Sequence, residues 1–234
     1  MMQSRRLSKL RQNSHRLMLA LAPVSIIDSR ARRRLIQQFA EKIGLVYFGA
    51  VSHESDEHTL VRGVTLSPHH YDNHYCIGSF DGYDMTLVER SAILRSKRKT
   101  KQHIWHILAI DLRTPRDIPH VFMGSHSHSE LFYDQLLTTQ HSFRKMPNES
   151  LVQHAGTFTS QYSIFAAPSQ YSEISRLLTA DVTNVIGSHF SPLAIEITGD
   201  VLYVYSDQQN PTTQLFNTML KNGLWLAKYI DSRA

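Results

Sequence analysis

LAIEITGDVLYVYS, Leu193 to Ser206, carries a strong strand-turn-strand pattern. Two short runs rich in β-branched and aromatic residues, LAIEIT (Leu193–Thr198) and VLYVYS (Val201–Ser206), flank the dipeptide Gly199-Asp200. A two-residue turn of that composition between alternating runs is a strong hairpin signal. Alternation with period two puts Leu193, Ile195 and Ile197 on one face and Ala194, Glu196 and Thr198 on the other. The apolar face is expected to enter the core, and Glu196 is expected to face solvent or a polar pocket. Beyond Pro211, the run from Thr212 to Ile230 places Leu215, Met219, Trp225, Leu226 and Tyr229 near one helical stripe, interrupted by Gly223. A long helix therefore closes the domain, with Trp225 assigned to its core side.

Working upstream, Gln170–Leu178 and Asp181–Ile186 read as two short helices, the second with Thr179 as its N-cap. Phe158–Ala166 reads as a strand and Glu130–Thr139 as a helix. Tyr83–Leu94 and His103–Leu112 form a second hairpin, whose tip SKRKTK (Ser96–Lys101) crowds like charges. Either the tip is a solvated loop protecting a hairpin end, or it binds anions. Leu45–Val51, Thr59–Leu66 and Tyr75–Phe80 are short strand-like runs separated by turn-forming clusters. The segment RRRLIQQFAEKI (Arg32–Ile43) spaces Leu35, Ile36, Phe39 and Ile43 as a helix that stops at Gly44. Helices and strands are segregated instead of alternating. The fold class is therefore α+β, an antiparallel β-sheet arranged most simply as a meander, with a basic N-terminal helix and a long C-terminal helix.

The chain has 234 residues, 41% of them hydrophobic, enough for one sizeable core or two small ones. We read a basic arm over residues 1–34 and one domain over 35–234, with at most two lobes, 35–125 and 126–234. The single cysteine, Cys76, excludes an intrachain disulfide framework. The net charge of +5 conceals a division: Met1–Arg34 holds nine Lys/Arg against one acid, or +8, while the rest holds 16 against 19, or −3. Attraction to anions belongs to the arm, through Arg5, Arg6, Lys9, Arg11, Arg30, Arg32, Arg33 and Arg34, and to the tip residues Lys97, Arg98, Lys99 and Lys101. The apolar run Leu17–Ile27 falls well short of the roughly 20 residues of a membrane-spanning helix. Its length suits a signal-peptide core, but Pro23 follows Ala20-Leu21-Ala22, a poor place for cleavage. A first helix docked on the domain, or one lying in a membrane interface, fits the same run.

Histidines number 14 and cluster. His69, His70 and His74 fall in the turn-like SPHHYDNHYC, His103 and His106 on a strand, and His120, His126 and His128 around VFMGSHSHSEL (Val121–Leu131). An apolar strand ending in His-x-His is how several metallohydrolase sites begin, so His126 and His128 are the candidate metal ligands, with Asp72, Asp81 or Glu130 as the carboxylates that would accept from the imidazoles and orient them. Against that reading, no HExxH helix occurs and Glu130 stands two places beyond His128. The two imidazoles are expected not to converge with His69, His70 or His74. Nucleophilic chemistry has less support, because no GxSxG elbow is present and Cys76 sits in an apolar strand. No GxGxxG or Walker loop is present either, and no cofactor is expected.

The C-terminal half carries a resemblance. TFTSQYSIFAAPSQYSEISRLLTADVTNVIGSHFSPLAIEITGDVLYVYS, Thr157 to Ser206, combines a Phe-x-x-x-Tyr strand, Leu-Leu-Thr-x-Asp-Val, an Ile-Glu-Ile strand and a Leu-Tyr-x-Tyr strand. With IPHVFMGS (Ile118–Ser125) upstream, it resembles an uncharacterised family of α+β proteins from candidate-phylum, small-genome bacteria, over about residues 75–230. The resemblance implies no catalytic residues. It implies a membrane segment ahead of the domain in many relatives, where this chain has only Leu17–Ile27. It also implies that the position of Ser125–His128 is polar without being fixed as histidine, which makes His126 and His128 loop residues.

Together these readings give a bacterial domain that binds or scaffolds without performing chemistry, in the cytoplasm or peripheral on the inner membrane face. Its expected partner is an anionic membrane surface or a protein; the oligomeric state is open. The alternatives are a metal-dependent hydrolase built on the histidine clusters and a nucleic-acid binder using the basic arm, for which no stacking or helix-turn-helix motif is present.

Overall fold

The computed structural model describes residues 26–50, 61–67, 70–95, 100–113, 118–147 and 156–233. Its strands are β1 (Val46–Gly49), β2 (Tyr71–Phe80), β3 (Tyr83–Arg95), β4 (Thr100–Asp111), β5 (Val121–Ser125), β6 (Arg144–Lys145), β7 (Tyr162–Ala166), β8 (Ala194–Thr198) and β9 (Val201–Ser206). They form one antiparallel sheet in the order β1-β2-β3-β4-β9-β8-β5-β7-β6. The first four strands form an antiparallel meander, which lacks the strand expected at Thr59–Leu66. The C-terminal hairpin then inserts between β4 and β5, so the chain's last two strands lie at the centre of the sheet, and the sheet draws strands from both proposed lobes.

Six α-helices are described: α1 (Ile26–Lys42), α2 (Glu130–Leu136), α3 (Gly156–Gln161), α4 (Tyr171–Leu177), α5 (Ala180–His189) and α6 (Thr213–Ser232). One face of the sheet packs under α1, α3, α4, α5 and α6, joining Phe39, Phe158, Ile174, Ile186 and Phe216 to Leu108, Ile110, Ile195 and Val204. Each such side chain contributes about 1.5–3 kcal/mol on full burial. The other face lies under α2 and residues 61–67, where Val61, Val64 and Tyr133 meet Trp105, Phe122, Tyr203 and Tyr205. Among the described residues, no helix is long and apolar enough to cross a membrane.

Local chemistry explains the boundaries. Helix α1 ends where Gly44 takes φ +79° and the Leu45 N–H returns to the Ala40 carbonyl at 2.9 Å, a glycine-dependent stop. At the start of α6 the Thr212 hydroxyl accepts from the Leu215 N–H. Gly223 does not interrupt this helix. It lets α6 lie close to β4 and β9, because a Cβ there would stand 2.8 Å from Ile110 Cδ1 and 3.2 Å from Val204 Cγ2.

Four expectations are corrected. Val61–Leu66 is a turn-rich strap and not part of a strand, while Thr59 and Leu60 lie outside the described residues. Phe158–Gln161 belongs to α3, and only Tyr162–Ala166 is extended. SPHHYDNHYC is strand from Tyr71 onward, with a bulge at His74, whose φ is +57°. Trp225 is 36% exposed, since Phe216, Met219 and Ile230 already fill the side of α6 that faces the sheet.

Candidate functional site

Charge is buried in the sheet on the face beneath residues 61–67. Asp72 in β2 and Arg90 in β3 stand opposite each other in register, and both side chains are fully buried. They form a bidentate pair, Nε to Oδ1 at 2.7 Å and Nη2 to Oδ2 at 2.6 Å. The remaining guanidinium N–H groups donate to the Val61 carbonyl at 2.6 Å, the Arg62 carbonyl at 3.0 Å and the Thr65 hydroxyl at 3.2 Å. The Tyr75 hydroxyl donates to Asp72 Oδ2 at 3.0 Å.

A second carboxylate extends this system. Glu196 is 0% exposed, against the expectation of a solvated face. A polar pocket does receive it: Oε2 accepts from the Val64 N–H at 2.9 Å and from the Tyr205 hydroxyl, and Oε1 pairs with His120 Nε2 at 2.6 Å. Burial first, then the neighbouring Glu196 charge, pushes the Tyr205 hydroxyl well above its ordinary pKa, so it stays protonated and donates. Gly63 makes the approach feasible: its φ is +78°, and a Cβ there would lie 2.2 Å from the Tyr205 hydroxyl oxygen. Both oxygens of each carboxylate are engaged. The network binds the strap to the sheet and includes the partly exposed His120, which packs edge-on against Phe143 at 4.6 Å.

The candidate metal ligands part company. His126 sits between the Ser160 carbonyl (Nδ1, 2.9 Å) and the Ser163 hydroxyl (Nε2, 2.9 Å). His128 stacks on Phe132 at 4.0 Å and sends Nε2 to Asp207 Oδ2 at 2.9 Å. The same Oδ2 lies 3.4 Å from His103 Nε2. His74 Nδ1 bonds the Tyr47 hydroxyl at 2.7 Å, and His69 lies outside the described residues. Among the described residues no three or more His, Cys, Asp or Glu side chains are grouped to hold a metal ion. Burial pushes the Cys76 thiol up to about 12, so it is protonated near neutral pH and a poor nucleophile.

Asp207 yields a pH prediction. Burial raises the pKa of its carboxyl, but the hydrogen bonds and charges of His103 and His128 outweigh burial and hold it well below the usual carboxylate range. A folded-state value below the unfolded one, about 3.9, contributes stability above that pH and loses it as pH falls toward the folded value. Asp207→Asn is expected to cost about 2 kcal/mol at neutral pH, the usual worth of hydrogen bonds to a charged group. It should also flatten the acid limb of the stability curve below about pH 4. Urea titrations across that range check this; superimposable acid limbs for the two proteins would rule it out.

Beside His120 a cleft of about 480 Å³ opens between α2 and the β6–β7 edge. Tyr133, Leu137, Phe143 and Phe165 supply its buried lining, and Glu130, His141, Arg144 and Lys145 its exposed lining. Lys145 is ion-paired with Glu130, and Arg144 Nη1 donates to the His141 carbonyl at 2.9 Å and to the Phe143 carbonyl at 2.6 Å. The size is that of a small-molecule pocket.

Of the candidate anion-binding residues, Arg30, Arg33 and Arg34 are exposed on α1. Arg33 lies over the Tyr47 ring, 5.7 Å from its centroid. Arg32 is turned inward, 3.3 Å from Glu89 Oε2 and 3.1 Å from the Gln209 carbonyl. Arg5, Arg6, Lys9, Arg11, Lys97, Arg98 and Lys99 lie outside the described residues, as does the side chain of Lys101 in β4. Sequence reasoning missed Arg90 and Asp207, and it named Asp72 and His120 only around a metal site, not as parts of a buried charge network. The available signal was a charge at the centre of an apolar strand, as in TLVERSAIL and LAIEIT.

No protein-family model matches the chain, and no curated protein matches it by sequence. A solved structure shares the architecture: the crystal structure of the mycobacterial trehalose monomycolate transport factor A, TtfA, aligns with a TM-score of 0.60 at 8% sequence identity, covering 85% of this chain and 93% of that one. At that identity the likeness is one of fold, an α+β architecture the two chains have in common over most of their lengths.

Proposed function

We propose that this chain is a non-enzymatic binding or scaffolding domain that attaches to an anionic membrane surface, on the cytoplasmic side of a bacterial inner membrane. The observation that carries the reading is the exposed set Arg30, Arg33 and Arg34 at the start of α1, the described end of a region with nine basic residues and one acid. The buried charge network supports a binding role over a chemical one, because Asp72 and Glu196 are engaged in holding the strap. The fold shared with a mycobacterial transport factor supports it from another direction. Membership of the small-genome bacterial family belongs to the same proposal.

Each basic residue close to an anionic bilayer contributes on the order of 1 kcal/mol at low salt. The triple variant Arg30→Gln, Arg33→Gln, Arg34→Gln should therefore bind phosphatidylserine-containing vesicles on the order of 100-fold more weakly than the unaltered chain. Its thermal stability should be nearly unchanged, because none of the three reaches the core. Co-sedimentation across a salt series, with a DNA oligonucleotide in parallel, decides the matter. Equal vesicle binding by both proteins removes the arginines from the account, and tighter binding to DNA favours the nucleic-acid reading.

A further inference from the structure

Helix α6 turns Phe216, Met219, Leu226, Ala227 and Ile230 toward the sheet. Its outward residues Asn217, Lys221, Trp225, Lys228 and Ser232 follow one another at spacings of three and four, so they form a single exposed stripe. The chain has two tryptophans, and they are used differently: Trp105 is 2% exposed and Trp225 is 36% exposed. The Trp225 indole is held in place, stacked on Tyr229 with centroids 5.7 Å apart and planes 19° apart. The Arg233 guanidinium lies over Tyr229, 4.7 Å from the ring centroid.

Charge is segregated among the helices. Residues 30–42 of α1 and 213–233 of α6 and its C-cap hold eight Lys/Arg and two acids, Glu41 and Asp231, for +6. Helices α2 to α5 hold one basic residue, Arg176, against Glu130, Asp134, Glu173 and Asp181, for −3. The two basic helices are neighbours, packed through Phe39 and Phe216 with ring centroids 5.3 Å apart. A positive, two-helix face with one fixed indole at its surface combines the two features of interfacial membrane contact, attraction to anionic headgroups and an amphipathic ring at the polar boundary.

Lys228 on this stripe is ion-paired with Asp81, so we propose that the stripe docks through Lys221 and Trp225, together with the exposed arginines of α1, on an anionic lipid bilayer, seating the Trp225 indole at the headgroup level. The inference rests on the surface-binding reading above and adds to it a face and an orientation. A lipid surface suits the indole better than a nucleic acid does. Tyr229 covers one ring face and Phe190 approaches edge-on at 6.1 Å, which leaves little stacking area for a base, whereas the headgroup region needs no open ring face.

The full chain is compared with Trp225→Phe and with Lys221→Glu on phosphatidylcholine vesicles with and without phosphatidylserine. Tryptophan emission is read beside co-sedimentation, and thermal unfolding shows that both variants are folded. On anionic vesicles the emission of the unaltered chain should shift to the blue, the shift should vanish in Trp225→Phe, and Lys221→Glu should bind on the order of tenfold more weakly. If the chain binds anionic vesicles with unchanged emission and Lys221→Glu binds equally well, the α6 face is overturned while the surface-binding reading stands. If the chain binds no anionic vesicle, both fall. Quenching of Trp225 by a DNA oligonucleotide in preference to any response to vesicles overturns the lipid assignment alone.

Discussion

Arg90→Met is expected to destabilise the domain by about 3–5 kcal/mol, because it leaves the Asp72 carboxylate buried without its cation. The substitution keeps most of the volume and the unbranched shape, so little of the loss is a packing effect. What disappears is the bidentate pair, together with the donors to the Val61 and Arg62 carbonyls that hold the strap down. The double variant Arg90→Met, Asp72→Leu removes both charges and should recover a substantial part of the loss, since a buried ion pair contributes little net stability relative to apolar side chains of similar volume. Full recovery is not expected, as the Tyr75 hydroxyl then loses its acceptor. Urea unfolding of the unaltered chain, Arg90→Met, Asp72→Leu and the double variant gives the values. A single-variant loss below about 1 kcal/mol, or a double variant weaker than the sum of the singles, would show that the pair does not act as the strap's anchor.

The elements that were legible in the sequence are those whose pattern is self-contained. The β8–β9 hairpin follows from Gly199-Asp200 between two alternating runs, and α6 from a stripe that Thr212 caps. Sheet order was not legible, because the placing of β9 beside β4 depends on long-range packing that no local period records. The same gap explains Glu196. Alternation tells which residues share a face but not whether that face is covered, and the simplest antiparallel expectation leaves one side to water. Here the hairpin is central and both sides are covered, so the face bearing Glu196 is as dry as the face bearing Ile195 and Ile197. The histidine clusters left a metal site open as an alternative for a related reason: His126 and His128 are neighbours in sequence, yet the turn after β5 sends one toward Ser163 and the other toward Asp207. Trp225 was assigned inward from its place near the stripe of Leu215, Met219, Leu226 and Tyr229, although the inward positions of α6 are already filled by smaller residues.

Glu196→Ala is the sharpest test of the buried reading, since a solvated glutamate on a strand would tolerate the change within about 0.5 kcal/mol. Buried as it is, Glu196 accepts from the Val64 N–H and the Tyr205 hydroxyl and pairs with His120, and all three lose their partner at once. Two of those groups are enclosed, at 2% exposure for Val64 and 1% for Tyr205, so water does not readily replace the carboxylate. The expected loss is about 3–5 kcal/mol, the range for breaking a buried charged contact on one side. Glu196→Gln keeps the shape and one acceptor oxygen and should cost less, about 1–3 kcal/mol, because its amide presents donors where two of the contacts need an acceptor. The strap supplies an independent readout. With its Val64 anchor gone, residues 61–67 should open locally, and their amides should lose hydrogen-exchange protection well before the β8–β9 ladder does. If both variants unfold with the midpoint of the unaltered chain and the strap's protection is unchanged, Glu196 is not the residue that holds it to the sheet.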